Sequence, residues 1–143
     1  MKKQTKKTTR VNATRKNRDS RSAYKGVTVR KDLRLAVYLR DDFRCLYCLA
    51  DLRDADPRDI TLDHLTPHSK GGSNEAGNLI CACRSCNCSR GDQPVSRFAS
   101  PEARKHIARN KARKIRRYRD MAKALIDGET GEAVEPVIKI SAR

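Results

Sequence analysis

Phe43-Arg44-Cys45-Leu46-Tyr47-Cys48 and Cys83-Arg84-Ser85-Cys86 are the two stretches that decide the fold. In each, two residues separate a pair of cysteines, a spacing at which the backbone can turn round one metal ion and aim both thiolates at it. Two such pairs supply Cys45, Cys48, Cys83 and Cys86, the four soft ligands that tetrahedral zinc prefers. A site of this kind contributes on the order of 10 kcal/mol to folding. Cysteines in a small domain can instead form a disulfide framework, which requires an oxidising compartment. The basic N-terminus is followed by no apolar stretch and no window approaches a membrane span, so neither secretion nor a membrane is signalled and a cytoplasmic location is expected. Cys81 and Cys88 are left over, either as small buried packing residues or as competing ligands.

The rest of the composition agrees with a metal-supported fold. Only 37% of the 143 residues are apolar, with no Trp and two Phe, so a single domain with a thin hydrophobic core is expected. Working outward from the cysteine pairs, Leu33, Ala36, Val37 and Arg40 recur at helical spacing behind Asp32, which predicts a short helix running towards Cys45. Ile60-Thr61-Leu62 reads as a brief strand ending at Asp63-His64, and residues 78–82 as a second strand. Between them, Pro67, Gly71-Gly72, Ser73 and Asn74 mark a loop. Arg84 to Arg90 is a short helix stopped by Gly91 and Pro94. Ser100-Pro101-Glu102 then opens one long helix, with Ser as cap and Pro at the first position, continuing to a stop at Gly128. Ile107, Ala108, Ala112, Ile115, Ala122, Leu125 and Ile126 keep one side of that helix apolar.

The net charge of +16 is not spread evenly. Residues 1–31 hold twelve basic and one acidic side chain, and residues 97–119 hold ten and one, while the centre is nearly neutral. Solvated surface charge usually mixes signs, so two single-sign blocks imply a polyanionic partner, nucleic acid before an acidic protein or a membrane surface. Residues 1–27 are too poor in apolar side chains to offset their ordering entropy and are expected to form a disordered basic arm. The remaining boundaries follow as a domain over 28–95, a basic amphipathic helix over 96–128 and a tail over 129–143.

Four cysteines leave a zinc ion no open position, so any chemistry has to lie elsewhere. Asp63-His64-Leu65-Thr66-Pro67-His68-Ser69-Lys70-Gly71-Gly72, then Asn78-Leu79, then Cys83-Arg84-Ser85-Cys86-Asn87, closely resembles the HNH endonuclease motif in its zinc-bearing form. Arg40-Asp41-Asp42-Phe43-Arg44-Cys45 with Tyr47-Cys48 is similar to the segment that usually precedes that motif, and the resemblance covers roughly residues 30–92. It implies an α+β fold with a ββα-metal (His-Me finger) core: two strands, and a helix beginning near Cys83, around one divalent cation.

The resemblance also implies roles. His64 would be the general base that takes a proton from the attacking water, a task suited to a neutral imidazole. Asp63 and Asn87 would give oxygen ligands to a catalytic Mg²⁺ or Mn²⁺. Asn78 would be structural, tying the loop so that His64 is oriented. Arg90 would either contact phosphate or stand as an exposed helix-end cation, and His68 and His106 are taken as surface residues. Leu49 stands where relatives often have Gly, which bears on the shape of the first cysteine turn.

The expectation is therefore a metal-dependent hydrolase of phosphodiester bonds in DNA, with double-stranded DNA favoured and with structural Zn²⁺. The competing class is a zinc-ribbon nucleic-acid-binding protein without catalysis, which accounts for charge and cysteines equally well. The short format is compatible with a phage or mobile-element nuclease working as a homodimer or with a partner protein.

Overall fold

The computed structural model of the protein describes residues 28–128; the expected N-terminal arm and the tail after 128 lie outside the described residues. Helix α1, Lys31–Arg40, carries Asp32 in its first turn and buries Leu35, Ala36, Val37 and Tyr38. Strands β1, Ile60–His64, and β2, Leu79–Cys83, form an antiparallel pair in register from Ile60↔Cys83 to His64↔Leu79. Helix α2, Arg84–Arg90, follows β2 without a connecting loop. Its N-cap is Cys83, whose sulfur accepts a hydrogen bond from the Cys86 amide at 3.4 Å. These three elements lie where the sequence places them, so the two strands and helix of the expected core are present. Among the described residues no helix is long and apolar enough to cross a membrane.

The end of α1 is locked onto β2 by polar groups. Arg40 and Asp41 are fully buried, a pairing that is costly to break because each would leave an unpaired charge in the interior. Arg40 also donates to the carbonyls of Ala76 and Leu79, while Asp41 accepts from the Cys81 amide and from Asn110. Around this lock Tyr38, Phe43, Leu46, Ile80, Ala103 and Ile107 form the main hydrophobic core.

One expectation needs correction. The single long helix expected from Ser100 is two, α4, Pro101–Lys111, and α5, Ile115–Ile126, and a one-turn helix α3, Val95–Phe98, precedes them. The Ser100 cap is as expected, its hydroxyl accepting from the Ala103 amide. The break at 112–114 contains neither Gly nor Pro, so no local signal announces it. Its cause is tertiary. Arg113 donates to the Arg40 carbonyl at 2.7 Å and pairs with Asp42, which holds the chain at the end of α1 while α5 turns to pack along that helix. Buried Ala122, with no side chain beyond Cβ, permits the close approach.

The basic block is correspondingly divided. Arg104, Lys105, Arg109, Lys111, Lys114, Arg116 and Arg117 are exposed. Arg113 and Arg119 instead turn inward, Arg119 pairing with Asp32 at 2.8 Å.

Candidate active site

The cysteine cluster begins with a tight turn. The Leu49 amide donates to the Cys45 carbonyl and the Cys45 amide to the Ala50 carbonyl, which curls residues 45–50 back on themselves. Leu49 takes φ 63° there, the left-handed conformation that explains why glycine suits this position. The Leu46 amide donates to the Cys81 carbonyl, which docks the turn on β2 next to the second cysteine pair.

The sulfurs of Cys45, Cys48, Cys83 and Cys86 all lie within 4.8 Å of one another, with Cys48 and Cys83 at 4.0 Å. Ligands at zinc–sulfur bond lengths stand roughly 3.8 Å apart in a tetrahedron, so this donor set fits zinc in chemistry and in span. Burial raises the Cys45 thiol, but hydrogen bonds from the backbone amides of Cys48, Cys83 and Tyr47 outweigh it and hold the group below the usual cysteine range. Burial and their sulfur neighbours push Cys48 and Cys86 upward, as crowding of thiolates without a cation requires. Neither remaining cysteine joins the cluster. Cys81 is buried in the core, its thiol pushed well up by that burial, whereas Cys88 is exposed and so does not have the packing role considered for it.

The Asp63-His64 pair ends β1. Pairing stays regular through His64↔Leu79, so the two side chains leave the strand from opposite faces. Thr61 and Asp63 face α2. Asn87 donates its amide nitrogen to the Thr61 hydroxyl and the Leu62 carbonyl, which fixes the flip of the amide and leaves Oδ1 as an acceptor.

One turn further along α2, Arg90 reaches the same strand. It is 1% exposed, and its Nη1 donates to both oxygens of Asp63 at 2.7 and 2.6 Å and to the His64 carbonyl, while Nη2 donates to the Leu65 carbonyl. Neither sequence reading of Arg90 survives, since it is neither an exposed helix-end cation nor open to phosphate. It bolts α2 to the end of β1. The Tyr47 hydroxyl donates to Asp63 Oδ2 at 2.5 Å, and burial together with that carboxylate keeps the phenol protonated.

His64 is half-buried on the other face. Its Nε2 lies 2.8 Å from Asn74 Oδ1, and the exposed His68 ring stands edge-on with centroids 6.3 Å apart. Asn78 makes no hydrogen bond to His64. It accepts from the Thr66 amide and donates to the carbonyls of Thr66 and Ser73, cinching both ends of the loop. Gly72 belongs to the same closure: a Cβ there would sit 1.8 Å from the Thr66 carbonyl oxygen. Sequence reasoning registered Asn74 only as a turn former, because nothing local marks it as the side chain that meets His64.

For a second, hard cation the oxygens of Asn87 and Asp63 are chemically suitable. Asp63 Oδ1 receives only the Arg90 bond, whereas Oδ2 receives both Arg90 and Tyr47, so Oδ1 retains the freer lone pair. Comparisons with curated proteins and with solved structures found no match. The family model for HNH endonuclease matches residues 45–93, a span that runs from the first cysteine of the cluster through β1, β2 and α2. Residues 45–93 are thus similar to an HNH endonuclease domain, and the four clustered cysteines lie within that span.

Proposed function

We propose that the protein is a metal-dependent endonuclease that hydrolyses phosphodiester bonds in DNA, with His64 as general base. The observation that carries this reading is the presentation of His64: half-buried, at the end of a paired strand, with one ring nitrogen engaged by Asn74 and the other left for a proton. In this reading His64 takes a proton from water as its oxygen attacks phosphorus. The bond from phosphorus to the 3′ oxygen breaks, that oxygen takes a proton from solvent water while His64 returns its own to solvent, and 5′-phosphate and 3′-hydroxyl ends are left. A Mg²⁺ or Mn²⁺ ion held by Asp63 and Asn87 would stabilise the extra negative charge on the phosphoryl and leaving oxygens.

Because Asp63 and His64 leave β1 from opposite faces, the scissile phosphate would lie beyond the strand's end, within reach of both. Arg90 and Tyr47 would hold the Asp63 carboxylate aimed. The exposed cations of α4 and α5, together with the basic arm, would supply sequence-independent affinity by phosphate contact. Double-stranded DNA is the favoured substrate. The four cysteines would hold a structural zinc ion.

One observation favours the alternative, a non-catalytic zinc-ribbon nucleic-acid-binding protein: Asp63 already has an internal ion pair and does not need a metal to balance its charge. Cleavage of supercoiled plasmid separates the two. The zinc-loaded protein with added Mg²⁺ or Mn²⁺ is expected to nick or linearise the plasmid, and His64→Ala, Asp63→Ala and EDTA to abolish the reaction. A retarded but intact plasmid would leave only the binding protein.

A further inference from the structure

We infer that Asn74 is a positioning residue that fixes the tautomer of His64, placing the ring proton on Nε2 and leaving the Nδ1 lone pair as the proton acceptor. The inference rests on the reading of His64 as a base and deepens it. Asn74 Oδ1 stands 2.8 Å from His64 Nε2. An amide oxygen only accepts, so the nitrogen facing it must be the protonated one, and in a neutral imidazole the other nitrogen is then the acceptor.

The loop is built to hold that oxygen in place. Asn78 uses its side chain on Thr66 and on the Ser73 carbonyl, the group immediately before Asn74. Gly72, with no room for a Cβ, lets the chain pass against Thr66 just before that point. The orientation of His64 therefore runs from Asn78 through Ser73 to Asn74, and it is the Asn74 side chain that makes the contact. His68, the other ring beside His64, is exposed and meets it edge-on, so it does not select a nitrogen.

The test uses the full-length zinc-loaded chain at a pH where His64 is neutral, with ring-nitrogen NMR resonances assigned by loss in His64→Gln. The parent is expected to show a single tautomer with a slowly exchanging proton on Nε2. Asn74→Ala should lose the slow proton and relax towards the mixture of free imidazole, while Asn74→Asp, which keeps the accepting oxygen, should retain it. In the cleavage assay Asn74→Ala should lower kcat by about tenfold or more, part of the 10²–10⁴-fold that a general base supplies. KM should stay within about twofold, and Asn74→Asp should recover part of the loss.

A proton on Nδ1 in the parent, or an unchanged His64 signal in a folded Asn74→Ala, overturns the inference. Absence of cleavage by the parent overturns the nuclease reading instead, and the ring spectrum still decides whether Asn74 sets the tautomer.

Discussion

Arg90 and Asp63 form the polar centre of the domain: one guanidinium nitrogen spans both carboxylate oxygens, at 2.7 and 2.6 Å, with the pair almost wholly removed from water. The same side chain closes the carbonyls of His64 and Leu65. Removing it strands a buried carboxylate and two acceptors. Arg90→Ala is expected to destabilise the domain by about 3–5 kcal/mol, the usual cost of breaking a buried pair from one side, measured by urea unfolding of the zinc-loaded protein. Arg90→Lys, which keeps the charge but not the planar fork, should lose less. A loss under about 1 kcal/mol for the alanine variant would mean that Arg90 is not the bolt described.

The cysteine cluster makes two sharply different predictions for neighbours on α2. Cys86→Ser removes one of four converging sulfurs and should abolish tight zinc binding, and with it a contribution on the order of 10 kcal/mol to folding. Cys88→Ser, two positions along and exposed, should keep one zinc per chain and unfold within about 0.5 kcal/mol of the parent. Metal analysis after dialysis against a mild chelator reads both. Equal zinc loss in the two variants would show that Cys88 competes for the site.

Leu49 at φ 63° carries a conformational penalty that glycine does not, of roughly 1 kcal/mol or a little more. Leu49→Gly should therefore stabilise the zinc-loaded protein by up to about 1 kcal/mol, less whatever contact the half-buried leucine makes. A lowered denaturation midpoint would show that those contacts outweigh the backbone strain.

Asp32 links the start of α1 to α5 through Arg119. Its burial raises the carboxyl pKa, but the hydrogen bonds and charges of Arg119 and Arg30 more than compensate and bring it below 3.8. A depressed folded-state pKa stabilises the protein at pH above the unfolded value, and that stabilisation is lost as pH falls through the folded value. Asp32→Asn should therefore cost about 0.5–1 kcal/mol at neutral pH, in the range of a largely surface pair, and progressively less below pH 4. Unfolding curves of parent and variant at neutral pH, each with and without Arg119→Ala, check the pairing where the cysteine cluster can keep its zinc; an unchanged gap in the Arg119→Ala background would place the effect in packing.

What the sequence disclosed about this molecule was local in character. The cysteine pairs, the strand leading to His64 and the helix from Arg84 to Arg90 each follow from spacing over a few residues, and the structure has them in place. The Ser100 cap was legible for the same reason. The contacts that were not legible join residues far apart. Arg113 meets Arg40 across 73 positions and breaks a helix whose own periodicity is uninterrupted, and Arg90 is buried because Asp63 lies 27 positions earlier in β1. Asn74 looked like a turn residue because its partner, ten positions away, is brought near only when Asn78 closes the loop.

Tyr47 lies between Cys45 and Cys48 in sequence and donates to Asp63 in space. The cysteine cluster and the strand that ends in His64 are thus a single hydrogen bond apart, through a ring that also packs edge-on against Phe98. A metal that never meets substrate would, through this tyrosine, still set the stage on which the substrate is handled. Swapping that ion for cobalt, whose d–d absorption reports the shape of its sulfur cage, would turn the cluster into an optical gauge of the carboxylate next door.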